Sequence, residues 1–315
     1  MPDEVRTQTV HTLSTDGKTQ LRGVIWWPSE GTERRGVIQL VHGMAEHIMR
    51  YDGVARFLAN HGFVVCGHDH VGHGESVSSP AEWGHLPLRG GRNVLVGDVG
   101  RVRELVRERV EEGLPHFLFG HSMGSFVVRA YIAEHGEGLA GAIICGTGHI
   151  PAVMSAGGNA LARIISRVRE ESSVSKMLEN LSVGAYSKAI EHARTPLDWL
   201  SYNKANVDSY IADEACGFPF TAGGNATLTT LTGEVCSLKC CRRVPHDLSL
   251  LYIAGDGDPV GDMGKGARTA AQMARDAGST DVTCIIYEHM RHEILNETDH
   301  QRVYDDILSW MEERI

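Results

Sequence analysis

No stretch of about 18 consecutive apolar residues occurs in the 315-residue chain, so nothing in it is expected to span a bilayer. Positive charge is also scarce: 30 Lys and Arg stand against 40 Asp and Glu, for a net charge of −10. Without a basic stripe, the chain is not expected to bind nucleic acid, nor anionic membranes through charge alone. The cysteines number seven, an odd count, and Met1 is not followed by a charged-then-apolar leader. Both features predict free thiols in a reducing, cytoplasmic setting. Cys236, Cys240 and Cys241 lie close together, but a second pair at zinc-site spacing is missing, so no metal is expected there. Internal repeats and low-complexity tracts are absent.

What is present is an alternation. A 42% hydrophobic content with 36 glycines suits a packed α/β protein rich in tight turns. Residues 5–27 read as two strands around a turn at Asp16-Gly17. Short apolar, β-branched runs at 37–41, 63–66, 117–119 and 142–145 predict buried strands. Helical spacing at 51–60, 99–110 and 126–134 separates them. From about His149 the rhythm breaks, and ninety residues of helical pattern follow without a convincing buried strand. Alternation resumes with a strand at 248–254, a helix at 267–277 and a strand at 282–287. A last helix, capped by Thr298 or Asp299, turns Val303, Ile307 and Trp310 inward. Strands alternating with helices imply a mostly parallel sheet flanked by helices on both faces. The expected division is a core of 1–148 and 246–315 with an inserted helical cap at 149–245.

The run FLFGHSMGSF, residues 117–126, ends a strand in Gly120-His121-Ser122-Met123-Gly124 and then starts a helix. A strand, Gly-x-Ser-x-Gly and a helix in that order form the nucleophile elbow of the α/β-hydrolase fold. The serine sits on a strained turn, and the glycines let strand and helix approach closely. The Met123 amide, at the helix start, is aimed at the oxygen of a reacting carbonyl. A serine hydroxyl needs a base, and the base needs an acid to orient it. The acid is sought after the strand at 248–254, where Asp256, Asp258 and Asp262 compete; Asp258 is favoured because Pro259 stiffens its loop. The base is sought after the last strand, where His289 abuts the strand end and His292 lies further out on the loop. His292 is favoured because a side chain there can swing over the serine. A second oxyanion donor is expected from the loop after residues 37–41, at the Met44 amide.

Taken together, VHGMAEHIMRY, GHDHVGHGES, FGHSMGS and AGDGDPVG resemble the monoacylglycerol lipase and lysophospholipase branch of the α/β-hydrolases. The cap stretch RTPLDWLSYNKANVDSYIADEACGFPFT resembles bacterial members of that branch, and the likeness runs from about Leu21 onward. It implies Ser122, Asp258 and His292 as a triad, with Met44 and Met123 as oxyanion donors. It also implies a glycerol-binding pocket at Glu46, Arg50 and His121, and no cofactor. The bland alternative for Glu46 and Arg50 is an exposed i,i+4 ion pair. His68, His70 and His73 invite a metallohydrolase reading, but Asp69 falls between the first two histidines, unlike the H-x-H-x-D-H order such enzymes need. The resemblance instead makes this a structural loop that Asp69 ties down.

The expected substrate is therefore a small lipid ester, with transient membrane or micelle contact through the cap. Leu161, Ile164, Ile165, Met177, Leu178 and Leu181 are expected to line an acyl tunnel. A lysophospholipase or short-chain carboxylesterase would share the same catalytic residues. An aminopeptidase of this fold usually carries Trp after the nucleophile, where Met123 stands. A ligand receptor without turnover would have no need of the ordered Ser, Asp and His.

Overall fold

The computed structural model describes residues 5–181 and 183–315. Eight strands form one sheet: β1 Arg6–Leu13, β2 Gln20–Trp27, β3 Gly36–Val41, β4 Phe63–His68, β5 His116–His121, β6 Gly141–Cys145, β7 Ser249–Gly255 and β8 Val282–Tyr287. Their order is β1-β2-β4-β3-β5-β6-β7-β8. The β1-β2 and β2-β4 pairs are antiparallel and every other pair is parallel. The helices are α1 Asp52–Asn60, α2 Gly91–Arg107, α3 Met123–His135, α4 Ala152–Arg169, α5 Lys176–Leu181, α6 Val183–Lys188, α7 Lys204–Ala212, α8 Ala222–Val235, α9 Leu238–Cys241, α10 Lys265–Asp276 and α11 His300–Glu312. Among the described residues, no helix is long and apolar enough to cross a membrane.

Side-chain alternation along the central strands divides the core. Phe117, Phe119, Ile143, Leu251 and Ile253 face α1 and α11, where Leu58, Val303 and Trp310 meet them. Leu118, Ala142, Ile144, Leu250 and Tyr252 face the other way, against α3 and α10. Both faces of each central strand are thus buried, which is why these strands appear as unbroken apolar runs rather than alternating ones. Helix α2 begins eight residues before the expected 99, because Gly90 adopts φ +80° and starts the helix at Gly91.

All of α4–α9 lie between β6 and β7. This insert is not uniformly peripheral. Leu231 and Val235 of α8, Cys240 of α9 and the following Val244 belong to the same core cluster as Val127 and Leu250. Helix α4 behaves differently from the sequence expectation. Its inward stripe, Leu161, Ala162 and Ile165, packs with Leu88, Leu178 and Ala226. Ile164, Met177 and Leu181 point to solvent. None of the six residues expected to line an acyl tunnel lines the cavity that contains Ser122. Packing against α8 has already used the inward ones.

Candidate active site

The loops leaving the carboxyl ends of β3, β5, β7 and β8 converge on one cavity. At the centre, β5 ends at His121 and α3 begins at Met123, so Ser122 alone turns the chain. Its φ of +53° is a conformation that a non-glycine residue holds only under constraint. The constraint is visible in the backbone. Ser122 N–H donates to Cys145 O at 3.0 Å, and Ser122 O accepts from both the Ser125 amide and the Ser125 hydroxyl. A Cβ on Gly124 would strike the Val41 and His42 carbonyls, and one on Gly120 would strike the Gly124 backbone. Serine at a helix start ordinarily caps the helix with its hydroxyl. Here the side chain makes no capping bond, and Ser122 lines the cavity instead.

His292 and Asp258 meet at the cavity wall, with Nδ1 and Oδ2 3.0 Å apart and both side chains buried. Asp258 Oδ1 accepts from the Val260 amide at 2.9 Å, which fixes the carboxylate. With its proton on Nδ1, His292 donates to Asp258 and keeps a lone pair on Nε2. The Trp199 and His121 rings flank it at 5.4 and 4.7 Å. The competing candidates lie elsewhere. His289 is exposed, with its amide donating to Asp256 Oδ1, and it lines a separate depression. Asp262 is exposed and pairs with Lys265.

Met44 and Met123 both line the cavity beside Ser122. The Met123 amide is the first of α3 and so has no intrahelical acceptor. The Met44 loop is held from both sides. Glu46 accepts from the Gly43 amide, and Ala45, at φ +54°, accepts from the Gly217 amide and the Tyr210 hydroxyl.

The polar end of the cavity is a buried charge network. Glu46 Oε1 accepts from the Tyr51 hydroxyl at 2.8 Å and lies 3.3 Å from His121 Nδ1. Arg50 Nε is 3.4 Å from Glu46 Oε2, an ion-pair distance without hydrogen-bond geometry, and Arg50 Nη2 donates to Glu293 Oε2 at 2.6 Å. Asn206 donates to the same oxygen at 2.6 Å. Burial would push the Glu46 carboxyl up, but the hydrogen bond and charge of His121, with Arg50, hold it at about 2. Burial likewise opposes charge on His121, and Glu46 more than reverses this, raising its pKa. Both ring nitrogens of His121 are engaged, since Nε2 lies 3.1 Å from His292 O. Glu46 and Arg50 are thus not an exposed pair. Glu293, Asn206 and Tyr210 are additions that sequence reasoning missed; only Glu293, adjacent to His292, left a local signal.

Within the histidine-dense segment, Asp69 is held by two backbone amides and the rings pack on one another. Asp69 accepts from the Ile48 and Glu75 amides at 2.8 and 3.0 Å. The His42 and His70 rings pack at 4.2 Å, and those of His68 and His73 adjoin His70 at 5.1 and 5.9 Å.

The cavity as a whole is about 980 Å³ including its mouth, and away from the polar end it is walled mainly by apolar groups such as Phe126, Leu197, Leu200, Phe218, Phe220 and Leu228.

Residues 32–299 match the family Hydrolase_4, described as serine aminopeptidase, S33. A human monoglyceride lipase is 30% identical over 312 residues, covering 96% of this chain and 90% of its own. A monoacylglycerol lipase of Mycolicibacterium smegmatis is 27% identical over 311 residues, covering 97% of each. Among solved structures, a thermostable carboxyl esterase from Bacillus coagulans, in complex with glycerol, superposes with a TM-score of 0.89 at 29% identity, covering 98% of both chains. The chain belongs to the Hydrolase_4 family and is a serine ester hydrolase of the α/β-hydrolase fold.

Proposed function

We propose that this enzyme hydrolyses monoacylglycerols to glycerol and fatty acid through an acyl-enzyme on Ser122. Ser122 Oγ attacks the acyl carbonyl while His292 Nε2 takes its proton, and Asp258 holds the imidazole in the required tautomer. The Met44 and Met123 amides stabilise the tetrahedral oxyanion. His292 then protonates the departing glycerol oxygen, and water repeats the sequence on the acyl-enzyme. Glu46, Arg50 and His121 form the polar end that receives the glycerol hydroxyls, and the apolar wall receives the acyl chain. Residues 149–245 act as the cap over this site.

The observation that carries the reading is charge balance at that polar end. Glu46 and Glu293 surround Arg50, and Glu46 also faces His121, so cations and carboxylates neutralise one another. An uncharged polyol fits such a site. A lysophospholipid phosphate finds the Arg50 guanidinium already engaged, and a peptide ammonium finds the Glu46 and Glu293 carboxylates already paired. Outside the cavity, Val153, Ile164 and Val168 of α4 present an exposed apolar face, suited to transient contact with a micelle or membrane that holds the substrate. Seven unpaired thiols suit a reducing, cytoplasmic location.

A substrate panel tests this. The value of kcat/KM for a long-chain monoacylglycerol is expected to exceed those for the matching lysophosphatidylcholine and for aminoacyl arylamides by at least about 10-fold each, or 1.4 kcal/mol. Equal turnover of the lysophospholipid, or faster cleavage of an arylamide, overturns it.

A further inference from the structure

His47, Asp213 and Cys216 have no part in this chemistry, yet they bring three kinds of donor to one place. His47 follows the Met44 loop, and Asp213 and Cys216 lie in the turn after α7. His47 Nε2 and Asp213 Oδ2 are 2.8 Å apart, and the nitrogen, oxygen and sulfur donors all fall within 4.8 Å of one another. Each residue is partly exposed, so an ion can reach them from solvent. We propose that these three side chains form a binding site for a zinc-class divalent cation, with water in the fourth position.

The donor set selects the class of ion. Imidazole, carboxylate and thiolate together suit a borderline-soft tetrahedral ion, whereas magnesium and calcium take oxygen ligands. Bond lengths of about 2.0–2.3 Å place tetrahedral ligands about 3.3–3.8 Å apart, so the donors need shifts of only about 1 Å. Their backbone is already arranged. Cys216 N–H donates to Asp213 O at 3.0 Å and Ala215 N–H to Asp213 Oδ1 at 2.9 Å, which closes the turn with both donors on it. Gly217 N–H and the Tyr210 hydroxyl, donating to Ala45 O at 2.9 and 2.7 Å, dock that turn on the loop leading to His47. Holding donors in place before binding reduces the ordering cost. Arg50, the nearby cation, is neutralised by Glu46 and Glu293. On binding, the Cys216 sulfur exchanges its proton for the ion, and the proton leaves to solvent. The bound ion links the inserted segment to the loop that carries Met44.

Cobalt(II) is the probe, because a tetrahedral thiolate site gives it visible d–d absorption and a near-ultraviolet charge-transfer band. Titrating the purified full chain is expected to give a 1:1 complex, with zinc displacing the cobalt. Cys216→Ser is expected to abolish the charge-transfer band and, like His47→Gln, to weaken binding by about 10-fold or more. Cys284→Ser, which alters a half-buried thiol on β8, leaves both unchanged. Circular dichroism in metal-free buffer separates loss of binding from loss of fold, and Asp213→Asn is a third variant with the same expected loss. Absence of saturable binding up to about 1 mM cobalt, or an unaltered band in folded Cys216→Ser, overturns the proposal. No substrate enters the measurement, so its outcome is independent of the proposed reaction.

Discussion

Ser122→Ala is expected to lower kcat on the best ester by about 10³- to 10⁶-fold without lowering Tm. The two halves of this expectation have separate causes. The loss follows from removing the only atom that forms the acyl-enzyme. The unchanged stability follows from how the residue is held: its backbone bonds to Cys145 and Ser125 survive the substitution, and its hydroxyl caps nothing. Alanine inherits the same positive φ, so the local strain is unchanged as well. His292→Ala is expected to lose a comparable factor, and the double variant little more, because the residues act as one unit. His289→Ala is expected to stay near wild-type activity, since that ring is exposed and outside the cavity. Steady-state kinetics beside thermal melts checks all four. A Ser122→Ala enzyme retaining more than about a tenth of its activity places the nucleophile elsewhere.

Acidification from pH 7 toward 5 is expected to destabilise the fold sharply, well before the carboxylates titrate. Five buried histidines carry the effect. Burial lowers His68 and His73 to about 4 and His116 to about 3. Burial, with the neighbouring histidines, holds His42 and His70 well below 6.5. Geometry agrees, since His42 Nε2 accepts the His70 amide at 3.0 Å and must be unprotonated to do so. The unfolded chain binds these protons near pH 6.5 and the folded chain does not. Stability is therefore fully present above about 6.5 and is lost as pH falls toward 4. One unit below 6.5, each histidine costs on the order of 1 kcal/mol, so the five together cost a sizeable share of a typical domain's stability. His121, whose pKa is raised by Glu46, opposes the trend as a single group, as does Asp69, raised by burial. Glu46, held at about 2, begins to matter only below its ordinary value of 4.5. Urea unfolding at pH 7.5, 6.5 and 5.5 reads the slope directly. His68→Leu removes a ring whose nitrogens lack partners and is expected to flatten the slope by about one proton. A flat stability profile between pH 7 and 5 contradicts this picture.

The parts of the molecule legible in the sequence are those governed by local rules. Central strands show as apolar runs because both their faces are buried, and the turn at 120–124 shows because close backbone approach demands glycine. Ser122, Asp258 and His292 could be sought in order because each follows a strand end. Their companions were less visible. Arg50, Asn206 and Glu293 meet across up to 243 residues, and apart from the adjacency of Glu293 to His292 no local pattern marks their junction. His47 and Asp213 meet across 166 residues. Helical periodicity identified an apolar stripe on α4 but not its destination, which is α8 rather than the cavity. Walls came instead from Phe126 of α3, Leu228 of α8 and residues outside the α-helices such as Leu197 and Phe218, which share no period. Long-range packing decides such matters.

The central claim is that the hydroxyl at the strained end of β5 is made nucleophilic by His292. A fluorophosphonate probe, followed by mass spectrometry of the digested protein, tests it most directly. The account predicts one adduct per chain, on Ser122, absent in Ser122→Ala and formed much more slowly in His292→Ala. An unmodified protein, or an adduct on any other residue, contradicts it.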